Sequence, residues 1–340
     1  MTPEGRSLAG APGGPSAGRD GRPTAVGPAV TGPRHPGLVG FRIAATASAG
    51  IDWPRLDETW ALAGELEAFD AGWLSDHLSD TARERGGPAV EALTAAAALA
   101  HRVPGKWIGI AVLANTFRHP SLVAKSATVL DNATGGRFIL GMGAGWHEGE
   151  HEAFGIPLPP MAERFDRFES GVATVATLLS DAARTPPGVT RDDPFYPLRD
   201  ATNEPPPARP GGPPIWLGGQ RRRGIALAVR YADGWPMPGN RPGDVAYFAA
   251  KRDEIRRALD AAGRDPEAFT FAAQLTCGTT AAERREALAV ATAFVRAGAG
   301  HVIVGLPATV APDGLTDVAR EVAEPLLEAA AARDGRSTGR

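Results

Sequence analysis

Between Gly141 and Gly155 the chain reads GMGAGWHEGEHEAFG, and His147, Glu148, Gly149, Glu150 and His151 spell H-E-x-x-H. On a helix, histidines four apart share one face and can hold a zinc ion, with the glutamate as general base for peptide hydrolysis. That chemistry needs a continuous helix and a third ligand. Gly149 costs about 1 kcal/mol of helix propensity relative to alanine, and Gly155 with Pro157 limits any helix here to roughly two turns. The spacing therefore predicts loop or rim histidines with ordinary hydrogen bonds, and no metal. Nor do the same glycines make a dinucleotide fingerprint, because the third glycine of G-x-G-x-x-G would fall on Trp146, whose indole prevents close helix–strand packing.

Other residue types suited to chemistry are spread along the chain: Asp76-His77, Asn115, Gly143-Ala144-Gly145, Gly218-Gly219-Gln220 followed by Arg221, Arg222 and Arg223, and the single Cys277. What must position them is a regular alternation. Short apolar runs bounded by glycine or proline predict strands over Phe41–Ala45, Ala71–Ser75, Trp107–Leu113, Arg137–Met142, Pro214–Leu217, Gly234–Met237, Phe269–Leu275 and His301–Gly305. An amphipathic stretch follows each of them, from Arg55–Phe69 to Pro312–Ala332. Eight βα units predict an α/β fold, a closed (β/α)8 TIM barrel, although an open doubly wound sheet has the same local pattern. In a barrel the residues just after each strand converge on one mouth, and the polar groups named above lie there.

Composition bounds the function. The 340 residues carry a formal charge of −3 with no basic block, so nothing points to nucleic acid or an anionic membrane, and a small-molecule substrate is the expected partner. One cysteine excludes an intramolecular disulfide or a cysteine zinc site. No apolar run approaches the roughly 18 residues of a membrane span, and a cytoplasmic location is expected. Residues 1–37, rich in glycine and proline, read as a disordered tail. A single barrel domain is expected over 38–332, with a proline-rich excursion at 185–213 anchored by Phe195, Tyr196 and Leu198, and a flexible C-terminus at 333–340.

The strings SDHL, VLANTFRHPSLVAKSATVLDNATGGRFILGMGAGWHEGEHEAFGIPLPPMAERFDR and PPIWLGG followed by YADGW resemble the bacterial luciferase-like flavin and deazaflavin oxidoreductases, specifically the branch that uses coenzyme F-420. The resemblance spans about residues 39 to 308. It implies a (β/α)8 barrel holding the cofactor at the C-terminal mouth, with hydride passing to or from C5 of the deazaflavin, or, in an FMN branch, oxygen reacting at C4a. GAGWxxxEHxAFG is a barrel-loop motif of this family, which gives Gly143, Ala144, Gly145 and Trp146 a place beside the cofactor and explains the zinc-like string without a metal. The family's non-proline cis peptide in the third strand corresponds to about Ala111-Val112; an ordinary buried strand is the competing reading.

The remaining site expectations combine residue chemistry with that resemblance. Gly218, Gly219 and Gln220 before a helix would offer backbone N–H groups to a cofactor phosphate, with Arg221 to Arg223 adding charge; alternatively they only make a tight turn. His77 suits proton exchange, the role the matching histidine has in sugar-phosphate-oxidising relatives, or it simply packs the mouth. Asp76 either sets the His77 tautomer or lines the pocket, although neighbouring strand residues point opposite ways. Asn115 is a cofactor candidate; His119, Arg118 and Glu150 are weaker ones. Those relatives have a glutamate after the glycine where this chain has Trp146, which argues against sugar-phosphate oxidation. The function expected is hydride transfer between F-420 and a small organic substrate. The alternatives are an FMN-dependent monooxygenase, requiring a separate flavin reductase as partner, and a non-catalytic flavin-binding protein. A homodimer stays open.

Overall fold

A computed structural model describes residues 35–43, 52–79, 88–308 and 311–337; the expected N-terminal tail lies, through residue 34, outside the described residues. The eight expected runs are strands: β1 (Val39–Ile43), β2 (Ala71–Leu74), β3 (Trp107–Ala114), β4 (Phe138–Gly143), then, past the short β5 (Val189–Arg191) and β6 (Leu198–Ala201), β7 (Ile215–Leu217), β8 (Gly234–Pro236), β9 (Thr270–Thr276) and β10 (His301–Leu306). The eight pair in parallel and close in the order β1-β10-β9-β8-β7-β4-β3-β2, so the barrel holds and the open sheet does not. The first strand begins at Val39 rather than Phe41, a boundary that periodicity alone fixes poorly, and its expected end at Ala45 lies outside the described residues.

Helices wrap the outside: α1 (Trp53–Glu65), α2 (Ala92–Leu99), α3 (Pro120–Ala133), α4 (Glu148–Ala153), α5 (Met161–Leu179), α6 (Arg222–Tyr231), α7 (Val245–Ala261), α8 (Ala281–Arg296), α9 (Leu315–Val318) and α10 (Glu324–Ser337). Local chemistry starts them: Asp52 accepts from Arg55 N ahead of Pro54, and Thr280 with Glu283 forms a reciprocal capping box. Over the zinc-like string a helix of 6 residues forms, within the two turns the sequence allowed, with the His147 ring capping it at Glu150 N. The last helix needs correction: α10 runs to Ser337, past the boundary expected at 332.

Strand alternation divides the side chains into an outer set packed on helices (Phe41, Ile110, Leu140, Val304) and an inner set of Ala71, Trp73, Trp107, Ile139, Trp216, Ala272 and Ile303. Indoles fill the inside because glycines yield to them: a Cβ on Gly109 would lie 2.2 Å from Trp73, and one on Gly234 2.5 Å from Trp216. Trp73 Nε1 donates to His301 Nε2 (2.9 Å), and the other ring nitrogen of His301 donates to the Gly37 carbonyl (2.6 Å).

The proline-rich excursion is ordered. Its antiparallel β5–β6 hairpin was not legible in the sequence, and it is held to α5 by Arg191 on Thr174 (3.0 Å) and by Asp193, which accepts from Ser170. Asn203 donates to Thr128 (2.9 Å) and Arg209 N to Asp131 (2.7 Å), fixing the return to the barrel. No helix among the described residues is long and apolar enough to cross a membrane.

Candidate active site

Above the indoles the inner wall changes character. Two and four residues past Ile139 stand Gly141 and Gly143, and two past Trp216 stands Gly218. The Ala111–Val112 peptide is cis, the β3–β4 register shifts between Ile110 and Leu113, and the Val112 side chain crosses the inner wall. It lies where β4 leaves space: a Cβ on Gly143 would come within 2.8 Å of Val112 Cγ2, and one on Gly141 within 1.9 Å of the Ile110 carbonyl. The β3–β4–β7 side of the mouth is thus a smooth surface of glycine, Ala111 and Val112.

Beside this surface stands His77, just past β2. Its Nδ1 lies 2.8 Å from Glu150 Oε2, and the second oxygen of Glu150 accepts from Leu78 N (2.7 Å) and Ser79 N (3.1 Å). Glu150 is 1% exposed; burial would raise its pKa, but the His77 bond and the two backbone N–H groups outweigh that and hold it below the usual value. An ionised carboxylate on Nδ1 fixes that nitrogen as the N–H and leaves Nε2 as the atom able to take or give a proton. The His77 ring, 15% exposed, meets the exposed Trp146 indole edge-on with centroids 6.2 Å apart.

The H-E-x-x-H histidines are spent elsewhere. His147 Nδ1 accepts from Glu150 N (3.0 Å); His151 Nδ1 faces the His147 carbonyl (2.7 Å) and its Nε2 the Thr116 hydroxyl (2.8 Å). Gly145, at φ +83°, passes so close to Thr116 that a Cβ would lie 2.4 Å from its hydroxyl. Asp76 does not bond His77. It accepts from both terminal nitrogens of Arg118 (2.8 and 2.7 Å) and from Ala114 N (2.8 Å), tying down the end of the irregular strand, and Arg118 continues to Glu91. Asn115 turns toward α5, where its amide donates to the Arg167 carbonyl (3.3 Å) and packs on Gly171.

At the next strand end, Gly219 lies against the α6 backbone, its carbonyl accepting from Trp235 Nε1 (2.7 Å), and Gln220 accepts from the Tyr247 hydroxyl (2.9 Å). Arg221 is the N-cap of α6 and the helix start has no side-chain cap. The three arginines separate: Arg223 pairs with Asp166 and Glu169 (2.7 Å each) and covers the Phe165 ring, whereas Arg221 and Arg222 are exposed with no ion pair among the described residues. Burial pushes the Cys277 thiol up to about 11, so it is no nucleophile. His119 caps α3 at Ser121 N (3.2 Å). A cavity of about 890 Å³ lies on the flank, between α5, α6 and the excursion, lined by Ser170, Arg191, Asp193 and Tyr231 among others. It meets the barrel at the N-terminal ends of β7 and β8, through Ile215 and Asp233, whereas the mouth at the C-terminal ends carries the groups able to do chemistry.

The sequence pattern of the luciferase-like monooxygenases matches residues 38–339. The chain belongs to that family. Luciferase-like relatives include a phthiodiolone/phenolphthiodiolone dimycocerosates ketoreductase of Mycobacterium sp. (strain JLS), 31% identical over 271 residues, covering 74% of this chain and 68% of the relative. An F420-dependent glucose-6-phosphate dehydrogenase of Beutenbergia cavernae is 35% identical over 235 residues, covering 65% of this chain and 66% of that protein. Among solved structures, the coenzyme F420-dependent tetrahydromethanopterin reductase of Methanopyrus kandleri superposes with a TM-score of 0.67 at 15% identity, over 86% of this chain and 100% of that one, a likeness of fold. Within this luciferase-like barrel, the functional feature underweighted from sequence is Glu150. It lies 73 positions from His77, and although it is the fixed glutamate of the GAGWxxxEHxAFG motif, nothing in the sequence paired it with that histidine.

Proposed function

We propose that the chain is an F-420-dependent oxidoreductase that moves a hydride between the deazaflavin and a small organic substrate, with His77 exchanging the accompanying proton. The observation carrying this reading is the His77–Glu150 pair beside the glycine surface of β4. The mouth suits a flat ring with a phosphate tail. Gly141 and Gly143 let the irregular β3 lie against them and project no side chain, Ala111 and Val112 give apolar contact on the same wall, and the Gly143–Trp146 loop borders it. The uncapped start of α6, with Gly218, Gly219, Gln220 and Arg221, would take the phosphate.

When bound, the deazaflavin supplies a carbon, C5, that accepts or donates hydride. The chain's own work is proton management and exclusion of water. With Nδ1–H held by Glu150, His77 Nε2 takes the hydroxyl proton as an alcohol is oxidised, and returns it as a carbonyl is reduced. Glu150 keeps the ring oriented. Trp146 screens the pair on its solvent side. Similarity to an F420-dependent dehydrogenase and to a ketoreductase supports this chemistry in either direction. The test is titration of the purified protein with F-420 and with FMN: tighter F-420 binding is expected, and the reverse order moves the chain to the flavin monooxygenase branch.

A further inference from the structure

On the side of the mouth opposite the glycine surface, two inward-pointing polar side chains each keep one buried atom without a hydrogen-bond partner, Arg42 Nε and Gln274 Oε1. Arg42 shares the inner face of β1 with Gly40, whose position abuts Trp73 and His301, so the guanidinium stands one layer above that pair. It lies along Gly305 of the adjacent strand, 3.8 Å from where a Cβ would sit. Its Nε is buried with no hydrogen-bond partner, burial lowers its pKa to about 10, and no ion pair reaches it among the described residues. Arg118, by contrast, has Asp76 and Glu91.

Gln274 shares the inner face of β9 with Ala272 and is 3% exposed. Its Nε2 donates to the Met237 carbonyl, which fixes the amide orientation, and Oε1 is left buried and unpaired. Between them β10 presents only Ile303 and Gly305 inward. A cation without a counter-ion among the described residues and an acceptor without a donor, both facing one lumen, are costly to keep unless a ligand completes them.

We propose that the β9–β10–β1 wall recognises the substrate, selecting a small molecule with an oxyanion, carboxylate or phosphate, for Arg42 and a hydroxyl or N–H donor for Gln274 Oε1. The word substrate rests on the hydride-transfer reading; the anion site does not. The oxyanion has two sources, a substrate or the cofactor's own acidic groups, and the experiment separates them.

Cofactor-free protein is titrated calorimetrically with acetate, propionate, butyrate, their ω-hydroxy counterparts and inorganic phosphate, at constant ionic strength in chloride. Wild type should bind phosphate or the acids and prefer at least one hydroxy acid over its unsubstituted partner. Arg42→Met should weaken anion binding at least tenfold while melting no lower than wild type, since it removes an uncompensated cation; Arg42→Lys should retain binding. Gln274→Leu should keep acid affinity but lose the hydroxy preference. Wild type that binds no anion, Arg42→Met with unchanged affinity, or a preference surviving in Gln274→Leu each overturns the proposal. So does loss of F-420 affinity in Arg42→Met with acid affinity intact, which would assign the oxyanion to the cofactor. Failure of wild type to bind F-420 would sink the enzyme reading and leave the anion result standing.

Discussion

Two histidines, the partly exposed His77 at the mouth and the buried His301 in the layer beneath, divide the barrel into a part that moves protons and a part that must not. His301 has neutral partners on both nitrogens, Trp73 and the Gly37 carbonyl, and full burial pushes it down to about 4. It is a neutral strut. His77 has a carboxylate on one nitrogen, partial exposure, and no protein partner for the other among the described residues. Residue type and fold are the same in both; the charge of the neighbour and the depth in the barrel decide what each histidine can do.

The largest expected effect breaks the comparison at its active end. His77→Asn should lower turnover about 10²- to 10⁴-fold while leaving F-420 affinity within a few-fold; a near-normal rate at saturation, with lost stability instead, would make His77 a strut like His301. Next, Glu150→Ala strips the partner from His77 and from two backbone N–H groups. It should cost about 3 kcal/mol in denaturant unfolding, and nitrogen NMR should find His77 redistributed between tautomers.

The passive end is read by pH. Because the folded-state pKa of His301 lies below its unfolded value of 6.5, its contribution to stability is complete above pH 6.5 and is lost as the unfolded chain gains a proton between pH 6.5 and 4. That loss amounts to about 3 kcal/mol. His301→Gln should flatten the slope of unfolding free energy over this window, and an unchanged slope would remove His301 as its cause. The smallest effect separates the arginines: Arg221→Ala with Arg222→Ala should weaken F-420 binding a few-fold, more at low salt than at high, whereas Arg223→Ala should leave affinity unchanged because that side chain already serves Asp166 and Glu169.

The barrel was legible because period-two and helical runs alternate eight times, and the residues after each strand could be assigned to one end from that count. Side-chain partners were not legible. Strand alternation already set Asp76 and His77 pointing opposite ways, but that one clamps Arg118 and the other meets Glu150 follows from geometry after β2 rather than from residue type. Asn115 looked like a pocket residue and serves α5. The zinc-like string was rightly doubted as a helix of useful length, but the histidine cap that lets a short helix form despite Gly149 is a local hydrogen bond that propensity does not capture. Arg42 and Gln274 carried no signal in the sequence, since what distinguishes each is one buried atom left unpaired in three dimensions.

The indoles beneath the mouth have a further consequence for how reach could evolve or be engineered. Trp73 and Trp216, with ring centroids 5.0 Å apart, form a stop across the barrel axis, and the stop is made of side chains rather than loops. Depth can therefore be edited from below, independently of the chemistry above. Trp216→Phe would lower the stop on the β7 side without touching His77, Glu150 or Arg42, and lengthening the ligand toward the core becomes a matter of changing one ring.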